Sequence, residues 1–198
     1  MNAPLAPPLP PLAPLSVGEF APWFSAPAPT NPDYNFNTSA GRYVLLAFLP
    51  PPSGARDRAM AAFVAHADLF DDHKLTCFMV LRDAASIAAA KNRPRGLRWL
   101  FDPEGKVSRL YGALRPGGSE APFWLLLDPI LRVLSSAPMG EEARIFDEAA
   151  RLPAVADYAG VPLCAPVLIA PRIFEPEMCR ALMDYYDRLG GGRNANST

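Results

Sequence analysis

Seven uninterrupted apolar residues, Tyr43 to Leu49 (YVLLAFL), run directly into three prolines, Pro50 to Pro52. The run is too short for a helix and carries no polar residue, so it reads as a strand buried on both faces. Proline cannot donate to a strand ladder, so the chain must turn there. Residues 55–70 then recur with an apolar stripe, Met60, Phe63, Val64 and Ala67, at helical spacing. A fully buried strand entering a helix through a tight corner demands a layered α/β fold.

The rest of the chain supplies the other layers. Residues 74–81, KLTCFMVL, read as a second buried strand. Asp83 is placed to cap a helix over 84–92, with Pro94 beyond its end. Residues 97–101 form a third strand, and Asp102-Pro103-Glu104-Gly105 has the residue order of a type I turn. A short helix over 106–114 buries Val107, Leu110 and Tyr111, and a Pro/Gly loop fills 115–119. Strands at 123–127 and 131–135 are joined by a very short turn at Asp128-Pro129 and must be antiparallel. An amphipathic helix over 141–152 opens with two acids, which favour a helix N-terminus. Before the first strand, Phe20, Trp23 and Phe24 are expected to pack from an extended segment at 17–25, with loop from there to Gly41.

The expected product is an α/β fold with a mixed central sheet flanked by helices. Strand–helix alternation closing in a hairpin and a helix resembles the thioredoxin-like arrangement. Three segments are expected: a proline-rich leader at 1–15, one domain at 16–152, and a linker opening a second module at 153–198. In that last segment 167–170 reads as a strand. Pro176–Leu189 reads as a helix with Met178, Leu182 and Tyr185 on one stripe and Cys179 and Tyr186 beside it. One strand and one helix cannot bury a core of their own.

Composition excludes several functions. A net charge of -1 argues against nucleic acid or an anionic membrane surface as the partner. No apolar run approaches the roughly 20 residues that span a bilayer. The leader, MNAPLAPPLPPLAPL, has no Lys or Arg and is too rich in proline for a signal peptide, so it is expected to be a polyproline-II tail. Cys77, Cys164 and Cys179 form neither a C-x-x-C pair nor a metal-ligand spacing, which suits a reducing cytoplasm.

Four segments taken together resemble the peroxiredoxin family, of the alkyl-hydroperoxide-reductase and thiol-specific-antioxidant type. GEFAPWF looks like its G-D-x-A-P-x-F opening, and YVLLAFLP like the strand before its active site. FDPEGKVSRLYGAL looks like its D-x-x-G…Y-G segment, and PFWLLLDP like its later strand ending in Asp. The resemblance covers roughly residues 16–152 and implies an antioxidant oxidoreductase. That family's active site is P-x-x-x-[TS]-x-x-C at a helix N-terminus, where the helix dipole lowers the thiol's pKa. With the proline on Pro50, Gly54 takes the Thr/Ser position and Asp57 the cysteine position. One residue earlier, the pair is Ser53 and Arg56. Neither register supplies a cysteine, and an aspartate cannot become a sulfenic acid. The family's arginine, six residues before the strand's Asp, falls here on Pro122. Cys77 lies mid-strand among apolar residues and is expected to be an inert core thiol. No catalytic residue, cofactor or metal site is therefore expected, and peroxidase activity is not.

Residues 166–192, PVLIAPRIFEPEMCRALMDYYDRLGGG, resemble the opening strand and helix of the prolyl-hydroxylase-like 2-oxoglutarate/Fe(II) oxygenases. That family binds iron through H-x-D and a distant His. His66-Ala67-Asp68 spells H-x-D, but on a helix the two side chains diverge by about 200°, and the only later histidine is His73. Three functions remain open. The first is a non-catalytic docking or positioning module at the N-terminus of an oxygenase that this chain truncates. The second is a thiol oxidoreductase using Cys77, Cys164 or Cys179. The third is a self-contained structural protein that dimerises through Pro176–Leu189.

Overall fold

The computed structural model describes residues 15–90, 95–158 and 175–189. The chain divides into two compact units, Met1–Val161 and Pro162–Thr198.

The first unit is built on β3 (Tyr43–Phe48), whose six residues are all buried. The elements before it are β1 (Ser25–Ala28) and β2 (Asn31–Asn35). Those after it are α1 (Gly54–Ala65), β4 (Leu75–Leu81), α2 (Ala84–Ala89), β5 (Leu97–Phe101), α3 (Lys106–Leu110), β6 (Phe123–Leu127), β7 (Val133–Pro138) and α4 (Glu142–Ala150). The main sheet has the order β5-β4-β3-β6-β7. β3 runs parallel to β4, with Tyr43 opposite Leu75, and antiparallel to β6, with Phe48 opposite Phe123. β4 and β5 are parallel; β6 and β7 are antiparallel. The sheet is mixed and flanked by helices, as the sequence implies.

Strand alternation sorts the core into two layers. Tyr43, Leu45 and Ala47 face Ala59 and Phe63 of α1 and Ile145 and Phe146 of α4. Val44, Leu46 and Phe48 face Val107, Tyr111 and Phe36. Burial on both faces explains why β3 and β4 carry no polar face. Asp102 is buried at 4 % exposure and earns its place by accepting from Val107 N, Ser108 N and Ser108 Oγ, which starts α3. The turn over 102–105 closes as expected, with Gly105 N donating to Asp102 O.

Several expectations are corrected. The stretch after Ser25 is not loop but the β1–β2 hairpin, with Ala26 opposite Tyr34. Its sequence, SAPA and NPDYN, lacks an apolar alternation, and prolines are tolerated because a two-stranded ribbon is all edge. Phe24 packs into the core, stacking on Phe36 at 4.6 Å, but Phe20 and Trp23 are exposed. Phe20 instead lies under the Arg132 guanidinium at 4.4 Å. α1 ends at Ala65 rather than Phe70, and a 3-10 turn, Ala67–Leu69, follows. Its buried residues are Ala59 and Phe63, while Val64 is 63 % exposed. α2 and α3 stop at Ala89 and Leu110, short of the expected ends. β7 begins two residues later than expected. Asp128 Oδ1 accepts from Ile130 N and Arg132 N, holding the chain in a turn in which Leu131 takes φ 63. Only after that turn can a strand start.

Packing in this unit runs on to Tyr158, which donates to Asp128 Oδ2 at 2.6 Å and meets the Tyr43 ring edge-on. In the second unit the described element is α5 (Pro176–Leu189), the helix expected there. The expected strand at 167–170, Cys164, Pro94, the leader through Pro14 and Gly190 to Gly192 lie outside the described residues. Among the described residues, no helix is long and apolar enough to cross a membrane.

Candidate functional site

The C-terminal ends of the parallel strands β3, β4 and β5 meet at one edge of the sheet, and α1 starts there. A cavity of about 190 Å³ opens between Leu49, Pro50 and Pro51 after β3, Leu81 to Asp83 after β4, and Pro103 after β5. This is the corner at which the resemblance would place a thiol.

The first turn of α1 shows what stands there instead. Ser53 is the N-cap, its hydroxyl accepting from Arg56 N at 3.4 Å, a long bond. Gly54 has room for a larger residue: a Cβ there would meet only Arg58 Nη1, at 3.7 Å. Packing therefore does not exclude a hydroxyl at that position. Asp57 is exposed in the first turn, where a carboxylate suits the helix dipole. Arg56 turns back across the corner. Its Nη1 donates to Asp83 Oδ2 at 2.9 Å and to Ser86 Oγ at 2.6 Å. Asp83 Oδ1 in turn accepts from Ser86 N at 2.8 Å and caps α2. The first turns of α1 and α2 are thus tied through one carboxylate.

Burial works to raise the Asp83 pKa. The Ser86 hydroxyl and amide and the Arg56 guanidinium outweigh it and hold the carboxyl below its ordinary 3.8. Because folded Asp83 binds its proton less tightly than unfolded Asp83, the stabilisation is complete above 3.8 and drains away as pH falls through the lower folded value. Asp83→Asn keeps an N-cap acceptor for Ser86 N but removes the charge paired with Arg56, so it should cost up to about 1 kcal/mol at neutral pH. The difference in melting temperature between variant and parent should close on acidification.

Sequence reasoning put Arg56 and Asp57 at the start of this helix but did not foresee this network. Arg56, Asp83 and Ser86 lie 27 and 30 residues apart in pairs, with no local signature. It also missed Arg82. Pro122 stands where an arginine was sought, yet Arg82 reaches the same edge from the end of β4 and is ion-paired with Glu120. Arg56 and Arg82 both already have carboxylate partners.

Cys77 sits in the middle of β4, opposite Leu45 and Leu97, with no exposure. Burial pushes its pKa well above the ordinary thiol value. It lies four residues before the strand end, roughly 13 Å from the corner at the usual rise. A thiol reagent such as 5,5′-dithiobis(2-nitrobenzoic acid) should reach Cys77 only after denaturation; rapid labelling of native Cys77 would contradict this placement. Cys179 lies on α5.

The H-x-D residues are separated differently from expectation. His66 is the C-cap of α1, and Asp68 lies in the following 3-10 turn, so the two do not share a helix. The His66 ring stacks on Phe146 at 4.8 Å, with Nδ1 2.9 Å from Ala62 O. His73 lies in the loop before β4, where its amide donates to Asp71 Oδ1. Among the described residues, no group of three or more His, Cys, Asp or Glu could hold a metal.

No family model and no curated protein matches the sequence. Solved structures match the fold. The Plasmodium vivax 2-Cys peroxiredoxin aligns over 68% of this chain and 96% of its own, with TM-score 0.54 and 22% identity. Xylella fastidiosa PrxQ aligns over 70% and 97%, with TM-score 0.57 and 11% identity. A peroxiredoxin-like protein from Aquifex aeolicus aligns over 71% and 89%, with TM-score 0.57 and 12% identity. The chain therefore carries the thioredoxin-like fold of the peroxiredoxins, with arginine and aspartate at the corner where the sequence resemblance calls for a thiol.

Proposed function

We propose that this is a peroxiredoxin-fold module that works by docking or positioning rather than by thiol chemistry. One observation carries the reading. At the corner, Arg56 is bound to Asp83 and Ser86, while Cys77, the sole thiol of Met1–Val161, is sealed inside the sheet. A peroxidase needs an accessible thiolate, and the described surface of this unit offers none. The module's partner is a 2-oxoglutarate/Fe(II) oxygenase that follows it in the same chain. The resemblance of residues 166–192 to the start of such an enzyme supports this, and α5 has the helical form that resemblance implies.

Stopped-flow mixing with hydrogen peroxide tests the first part. Consumption should be no faster than by an ordinary free cysteine. A rapid sulfenic-acid burst that disappears in Cys77→Ser would overturn the reading. Coding DNA beyond Thr198 tests the second. An H-x-D…H pattern downstream supports the tether, and a stop codon there removes it.

A further inference from the structure

A second cavity, of about 480 Å³, lies beside the paired ends of β6 and β7, where Phe123 faces Pro138. Its walls are apolar: Tyr111 at the end of α3, Phe123 and Leu125 of β6, and Met139 after β7. Its size falls in the range of small-molecule sites, and an apolar lining with few polar groups is their usual character. None of the residues that tie the α1 corner lines it.

The lining contains one charged side chain, Arg115, and no acid. Arg115 forms no ion pair with any described residue. The nearest acid in sequence, Glu120, is taken by Arg82. The Tyr111 hydroxyl is also committed, donating to Pro22 O at 2.7 Å, so it braces the wall rather than offering a hydrogen bond. An apolar chamber with a single uncompensated guanidinium matches a ligand with an apolar body and one negative end. A guanidinium holds a carboxylate through two parallel hydrogen bonds. We propose that this cavity binds a monocarboxylic acid with an apolar body, of the medium-chain acyl or aryl class, with Arg115 on the carboxylate.

Calorimetric titration of the full chain with decanoate and with decanol, both below their aggregation limits, tests this. Decanoate should bind at one site. Arg115→Gln should weaken decanoate about tenfold, the scale of a lost charge-assisted contact, and leave decanol unchanged. Arg115 is exposed, so this variant keeps its fold. Ala121→Phe, which fills the cavity from its wall, should remove both ligands, with thermal melting confirming that the variant is folded. Absence of decanoate binding overturns the proposal, as does binding that neither substitution alters. The leader offers a competing occupant, since Leu15 lines the cavity and Leu9 and Leu12 precede it. Decanoate binding that appears only after Leu9→Ser and Leu12→Ser would give the cavity to the leader and also overturn the proposal.

Discussion

Phe146→Ala should lower stability by about 4 kcal/mol, at the upper end of what single substitutions cost. Phe146 sits on the inner face of α4 with no exposure. Its ring stacks on His66, meets Phe70 edge-on at 6.0 Å, and meets Trp124 edge-on at 5.3 Å. One side chain therefore joins α4 to β6, to the end of α1 and to the segment before β4. None of these neighbours can collapse into the space, because each is held by its own backbone pairing or by another aromatic ring. For a domain of this size a loss of about 4 kcal/mol lowers the melting temperature by roughly 8–16 °C. Urea unfolding should show an earlier midpoint with an unchanged slope. Val64→Ala serves as the contrast. Val64 is on α1 but exposed, so it should change stability by less than about 0.5 kcal/mol. Equal effects at the two positions would mean that the helices are rotated from the arrangement described.

Gly96→Ala should be comparably damaging for a different reason. Gly96 enters β5 with φ 74, and its carbonyl accepts from Cys77 N at 2.8 Å. A Cβ at this position would lie 2.3 Å from Phe70 Cβ and 2.6 Å from Phe70 O. Those are backbone and near-backbone atoms, which cannot swing aside as a side-chain tip can. Either β5 gives up its pairing with β4 or Phe70 leaves its place between Phe63 and Phe146. Left-handed strain of about 1–2 kcal/mol adds to overpacking of about 1–3 kcal/mol. Gly41→Ala separates the two contributions, because Gly41 has φ 93 and nothing within 4 Å of its Cβ position. It should show the strain alone. Thermal melts of both variants measure the difference. If they lose the same stability, the Phe70 contact is not tight. Gly96→Ala combined with Phe146→Ala should cost less than the two separately, since both loosen Phe70.

The sheet was readable from sequence where burial on both faces erased polar residues. Residues 43–49 and 123–127 are continuous apolar runs, 74–81 is apolar but for Lys74 and Thr76, and each became a strand within a residue of its expected ends. The Asp83 cap and the 102–105 turn were readable because a short polar side chain or a Pro–Gly pattern fixes local backbone geometry. The β1–β2 hairpin was not, because its prolines and polar residues carry a loop's composition while its hydrogen bonds are made by backbone. The start of β7 was displaced by the turn at Asp128, and hydrophobic alternation cannot register a left-handed leucine. At the corner, the motif spacing falling on Arg56 or Asp57 was plain from the sequence. The tie from Arg56 to Asp83 and Ser86 was not, because it joins two helices whose starts are brought together only when β3 and β4 align. The cavity beside Arg115 was invisible for the same reason: its walls come from α3, β6 and β7.

The order of strands in the sheet also sets the order in which it can assemble. β3 gains one neighbour, β4, after a single intervening helix. Its other neighbour, β6, is made only after β4, β5 and α3 have been completed. During synthesis the β3–β4–β5 portion emerges with Val44 to Phe48 unpaired along one side, and that side is wholly apolar. Such a strand is a template for other chains until its own partner arrives. Closure of β6 against β3 is a long-range pairing that should slow folding, since distant pairings bear greater loop entropy. Phe123 and Pro138, the paired strand ends that frame the proposed carboxylate cavity, belong to the β6–β7 hairpin, so the cavity is complete only once that hairpin has formed and closed against β3.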